Sequence, residues 1–118
     1  MTTLYGIKNC DTVKKARRWL ESRHIDYRFY DFRADGLDLE QIKSWVEELG
    51  WEVLVNRRST SWKSLSPEQR DTMDKTAAIT AILENPTLIK RPLLDTGSER
   101  HVGFNDNFYM KLFAHHTL

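Results

Sequence analysis

Residues Leu4-Tyr5-Gly6-Ile7-Lys8-Asn9-Cys10-Asp11-Thr12-Val13-Lys14-Lys15-Ala16 constrain the fold more than any other stretch of the chain. An apolar strand pattern ends at Ile7, two polar residues follow, and from Asp11 the apolar spacing turns helical. The junction holds Cys10, the only cysteine in 118 residues. A side chain at a strand-to-helix corner meets the unpaired N–H groups and the positive dipole end of the helix. For a thiol, both favour the thiolate. Cys10 is therefore the candidate nucleophile. Two considerations oppose this reading. A lone cysteine is more often a small buried hydrophobe, and the Asp11 carboxylate disfavours a second negative charge beside it.

A single cysteine excludes an internal disulfide, and Val13, three residues after Cys10, excludes a Cys-x-x-Cys cycle. Any redox cycle must draw its second thiol from outside. His24, His101, His115 and His116 with one cysteine offer no zinc-type spacing, so no metal site is expected. The length suits one domain, residues 1–118, large enough to bury a core unaided. A net charge of +1 argues against a general nucleic-acid binder. No apolar run is long enough to span a bilayer, and Met1-Thr2-Thr3-Leu4 lacks the pattern of a secretory signal. The expectation is a cytoplasmic protein with neither nucleic acid nor membrane as partner.

Thr2 to Ile7 reads as a strand, and Asp11 to about Arg23 as a helix with Val13, Ala16 and Leu20 on one face and Trp19 beside them. Ile25 to Asp31 alternates like a half-buried strand, which completes a βαβ unit with a parallel pair. Ala34-Asp35-Gly36 reads as a turn. Asp38, with Gln41 three residues on, caps a helix whose buried stripe is Leu39, Ile42, Val46 and Leu49, and Gly50 suits the left-handed position that ends it. Trp51 to Val55 is apolar without a clear element, and Asn56 to Trp62 is a polar loop carrying Arg57 and Arg58. Ser66-Pro67-Glu68-Gln69 starts a helix, and Lys75 to Glu84 forms another, presenting Ala78, Ile79, Ile82 and Leu83. Leu88 to Leu94 returns to strand character, with Pro92 at the strand's entrance because an interior proline would remove a ladder hydrogen bond. Asp95 to Ser98 turns the chain into Arg100–Phe104 as an antiparallel hairpin. Asn105 or Asp106 caps a last helix bearing Phe108, Tyr109, Leu112 and Phe113. The order is βαβ, a helical insertion over about residues 37–86, then ββα, on one mixed sheet of an α/β protein.

Four blocks in this order, Leu4–Thr12 with Lys14-Lys15-Ala16, Asn56–Trp62, Ile89-Lys90-Arg91-Pro92 and Val102–Asp106, resemble the arsenate reductase-like family, most of all its YffB branch. The resemblance covers essentially the whole chain and implies a thioredoxin-like fold with helices inserted in the middle. It also implies that Cys10 matches the catalytic thiol of arsenate reductases, which use glutathione or glutaredoxin as the outside reductant. Arg91 looks like the family arginine that helps bind the oxyanion, and Pro92 like the cis-proline that faces the thiol. Arg58 is similar in placement to a loop arginine of Spx and YffB-type proteins, with Arg57 sharing or replacing it.

From the residues themselves, arginine's planar fork of donors suits a carboxylate or oxyanion. The plain alternatives are a strand-edge charge for Arg91 and solvated loop charges for Arg57 and Arg58. Lys8 and Asn9 either lend a charge and a hydrogen bond near the thiolate or serve only the turn. Two departures bear on activity. Where arsenate reductases carry a further arginine, Val102-Gly103-Phe104 holds none, and Val13 removes the Cys-x-x-Cys pair of Spx-type sensing. The expected activity is a glutathione-dependent thiol reductase with one nucleophilic cysteine, acting on a mixed disulfide or small oxyanion. Glutathione serves as co-substrate, and no cofactor is bound. An Spx-like regulatory or adaptor protein is the alternative, and arsenate reductase the third reading.

Overall fold

The structure is a computed structural model describing residues 1–114, so His115 and His116 lie outside the described residues. Two compact units divide the chain: Met1–Tyr30 with the chain from Arg91 onward, and Asp31–Lys90. The second unit begins before and ends after the expected insertion over about residues 37–86.

The first unit carries the sheet. Strand β1 (Thr3–Gly6) leads through helix α1 (Asp11–Ser22) to β2 (Arg28–Asp31), and the chain returns as β3 (Leu93–Asp95), β4 (Arg100–Val102) and a helix, Asp106–Leu112. The strand order is β2-β1-β3-β4. Leu4 lies opposite Leu94 and Tyr5 opposite Leu93 in the antiparallel β1–β3 pair, and β3 pairs antiparallel with β4 through Leu94 and His101. With β1, α1 and β2 forming the βαβ half, this is a thioredoxin-like α/β fold on a mixed sheet. Strand alternation sends Leu4 and Leu94 into the core and leaves Tyr5 and Asp95 half-buried. Against that inner face pack Val13, Ala16, Trp19 and Leu20 of α1, with Ile25, Tyr109 and Phe113. Val13, Ala16 and Leu20 are 0% exposed, and burying side chains of valine or leucine size contributes roughly 1.5–3 kcal/mol each.

β2 is shorter than the expected Ile25–Asp31 because the exit from α1 takes up five residues, Arg23 to Tyr27. His24 adopts φ 56°, its N–H donates to the Glu21 carbonyl, and the Ile25 N–H donates to the Leu20 carbonyl. This pair of bonds is a Schellman motif, which seats Ile25 in the core before the strand begins.

The second unit is helical. The residues expected as a plain turn form one helical turn, α2 (Phe32–Asp35), because the Asp31 carboxylate accepts from the N–H groups of Arg33 and Ala34. In α3 (Leu39–Leu49) the Asp38 carboxylate accepts from the Gln41 N–H at 2.8 Å, as expected. Its buried residues are Ile42, Trp45 and Val46, whereas Leu39 is exposed and Leu49 half-buried, so the stripe is centred on Trp45. Gly50 has the positive φ expected of it, 85°, but its ψ of 142° is extended rather than left-handed helical. The chain therefore leaves α3 directly into α4 (Trp51–Leu54), the stretch without a clear sequence signal.

Then follow α5 (Thr60–Lys63), α6 (Pro67–Asp71), α7 (Lys75–Glu84) and a 3-10 turn, Pro86–Leu88. The capping box of Ser66 and Gln69 is complete. α3 packs on α4 and α7. Val55 bridges Ile89, and the Lys90 N–H donates to the Leu54 carbonyl, so the strand expected from Leu88 is a single bridge here and a ladder only from Leu93.

Candidate active site around Cys10

Gly6 builds the corner. A Cβ there would lie 2.7 Å from Val13 Cγ2, so only glycine lets the end of β1 touch the first turn of α1. Lys8 and Asn9 then form an exposed turn, and Cys10 takes extended backbone angles (φ −105°, ψ 122°) as the residue capping α1. Its carbonyl accepts the first helical bond, from the Lys14 N–H at 3.0 Å. The free thiol is half-buried and packs against the core cluster of Leu4, Val13 and their neighbours. The helix starts where expected, but the sulfur does not cap it and makes no hydrogen bond to the first-turn amides. Sulfur is a weak acceptor, and here the side chain lies against hydrocarbon instead. Gly6 had a legible signal, a glycine inside a strand pattern, which marks close backbone approach.

The Arg91–Pro92 peptide bond is cis. Pro92 is buried, and its carbonyl accepts from the Gly103 N–H at 2.8 Å. Carrying the β1–β3 register past its last pair sets Pro92 level with Gly6 and the half-buried Arg91 level with Ile7. Cys10 follows three residues later. Cys10, Lys8, Asn9, Arg91 and Pro92 thus belong to one compact unit, while Arg57 and Arg58 belong to the other. Arg57 is held over the rings of Trp51, at 5.3 Å, and Trp62, at 5.9 Å, a cation–π shelf. Arg58 is exposed, with its backbone N–H donating to the Asn56 side-chain carbonyl.

Other charges nearby are committed to structure. Arg17 donates to the Tyr27 hydroxyl at 2.9 Å and stacks on Phe29 at 4.1 Å, which ties α1 to β2. Tyr27 in turn donates to the Glu21 carboxylate, and burial, aided by that bond, holds its phenol above the usual range. Arg100 pairs with Asp95 at 3.4 Å. Among the described residues no cluster of three His, Cys, Asp or Glu side chains is placed to hold a metal ion, and no helix is long and apolar enough to cross a membrane.

Residues 5–112, from β1 through the last helix, match the model of the ArsC family. The chain belongs to the ArsC family. An uncharacterised protein of Haemophilus influenzae is 47% identical over 114 residues, covering 97% of this chain and all of that one. The global transcriptional regulator Spx of Lactococcus lactis subsp. cremoris is 32% identical over 108 residues, covering 90% of this chain and 81% of the regulator. Among solved structures, a YffB protein superposes with a TM-score of 0.89 at 40% identity, covering 94% of this chain and 97% of the other. Similarity over most of its length thus links the chain both to a transcriptional regulator and to the YffB structure.

Proposed function

We propose that this ArsC-family chain is a glutathione-dependent thiol reductase working through Cys10 alone. The observation that carries the reading is a single free thiol at the start of α1, with the cis Arg91–Pro92 junction entering the neighbouring strand of the same unit. With a mixed disulfide between a substrate thiol and glutathione, the Cys10 thiolate attacks the glutathione sulfur. The S–S bond breaks, and the substrate leaves as its thiolate, which takes up a proton. A second glutathione thiolate attacks the Cys10–glutathione disulfide, releasing oxidised glutathione and the Cys10 thiolate. The net exchange consumes one free glutathione: the substrate mixed disulfide and that glutathione become the substrate thiol and oxidised glutathione. Arg91 offers a charge-assisted pair to a glutathione carboxylate, with Lys8 and Asn9 at the mouth of the turn.

The test is reduction of a small glutathione mixed disulfide. The Cys10→Ser variant should fall to the uncatalysed rate. Arg91→Ala should raise the KM for glutathione about tenfold, the equivalent of about 1.4 kcal/mol. Full activity in Cys10→Ser would overturn the reading, and an unchanged KM would remove Arg91 from it. The Spx relatives support a second reading, an adaptor that binds a partner protein and has no use for its thiol. Calorimetry separates the two. Glutathione binding that weakens in Arg91→Ala favours the reductase, whereas absence of binding together with a stoichiometric protein partner favours the adaptor.

A further inference from the structure

A second side of α1 leads away from the cysteine. Asp11, Lys15, Arg18 and Ser22 recur at helical spacing, so one line of side chains starts beside Cys10 and runs about 16 Å down the helix. Lys15, Arg18, Trp19 and Ser22 on that side, with Phe104 and Asp106 from the segment after β4, line a groove of about 380 Å³. Its aromatic lining, Trp19 and Phe104, is joined through Tyr109. Phe104 meets Tyr109 edge-on at 4.8 Å, and Tyr109 meets Trp19 edge-on at 5.4 Å. Arg23 places its guanidinium 4.3 Å over the Trp19 ring. The charged residues lining the groove are thus the cations Lys15 and Arg18 and the carboxylate Asp106. Among the described residues, the indole N–H of Trp19 and the hydroxyl of Tyr109 are buried with no acceptor, although Trp19 is 7% and Tyr109 0% exposed. None of these groups takes part in the chemistry assigned to Cys10.

We propose that the groove seats an acidic, aromatic-containing peptide segment of a protein substrate whose cysteine is reduced at Cys10. The inference rests on the reductase reading and names its substrate class: protein mixed disulfides with acidic flanks. A carboxylate lies against Lys15 and Arg18, and an aromatic or aliphatic side chain lies on Trp19 and Phe104. Asp106 accepts a peptide N–H. The reach is defined. The groove begins about 7 Å and ends about 18 Å along α1 from Cys10, and an extended chain advances about 3.3 Å per residue. The recognised side chains therefore stand about two to five residues from the reacting cysteine.

Glutathionylated peptides carrying Glu and Phe at those distances, the same peptides with Lys for Glu, and the disulfide of glutathione with mercaptoethanol are the probes. In the Lys15→Glu/Arg18→Glu double variant, the KM for the acidic peptide should rise at least tenfold with kcat unchanged. Turnover of the mercaptoethanol disulfide should be unaltered, and Lys15→Arg/Arg18→Lys should restore the KM. Calorimetry with a cysteine-free acidic peptide on Cys10→Ser should show binding that the charge reversal abolishes, independently of any turnover. Equal KM values for acidic and basic peptides, or binding indifferent to charge reversal, would overturn the proposal. Charge-sensitive binding with no disulfide turned over by the wild type would instead bring down the reductase reading, and the substrate assignment with it.

Discussion

Tyr109 is 0% exposed, and burial alone pushes its phenol well above the ordinary value of 10.0. Above about pH 10 the unfolded chain gives up this proton while the folded chain keeps it. The folded state then binds more protons, so stability falls as pH rises. The contribution is whole below the ordinary phenol value and is lost as pH climbs through the folded one. Tyr109→Phe should flatten this alkaline loss in urea unfolding at pH 7 and pH 10.5. It should also match or exceed the wild type by up to about 1 kcal/mol at pH 7, because a buried donor without an acceptor is costly. A clear loss at pH 7 would mean that the hydroxyl has a partner. At this scale the sequence was informative about identity and silent about orientation. Cys10 is legible as the residue opening α1, but whether its sulfur turns to the helix amides or to hydrocarbon is decided by packing from Leu4 and Val13. Arg57 is legible as a charge, and its shelf depends on where α4 and α5 bring Trp51 and Trp62.

Where a few adjacent residues determine an element, its sequence was sufficient. Asp38 and Ser66 cap helices as read, and of Asn105 and Asp106 it is Asn105 that caps the last one, because a cap is a bond between residues three apart. Where the element depends on its exit or its packing, the sequence fell short. β2 lost its first residues to the Schellman motif at His24, and the buried face of α3 centred on Trp45 because α4 and α7 pack there. Two substitutions test these junctions. His24→Gly removes the cost of holding an L-residue at φ 56° and should stabilise the chain by about 1 kcal/mol in urea unfolding. A loss would mean that the His24 side chain contributes contacts of its own. Gly6→Ala places a methyl against Val13 and should destabilise by about 1–3 kcal/mol. An unchanged midpoint would show that α1 can withdraw from β1 at no cost.

Across the molecule, the order of elements followed from hydrophobic period and punctuation, and the βαβ and ββα halves assemble on one sheet as read. The sequence could not supply the register that sets Pro92 level with Gly6, since pairing between β1 and β3 joins residues some ninety positions apart, Thr3 with Asp95. Nor could local pattern divide the chain at Asp31 and Lys90, outside the helical stretch that the punctuation marks. Whether this scaffold is used for chemistry comes down to one sulfur. The most direct measurement is the intact mass of the wild-type chain, quenched with acid during glutathione-driven turnover of a mixed disulfide. The expected result is a fraction of protein carrying one glutathione, released by excess reductant and absent from Cys10→Ser. Turnover without any such adduct, or at an equal rate in Cys10→Ser, would contradict it.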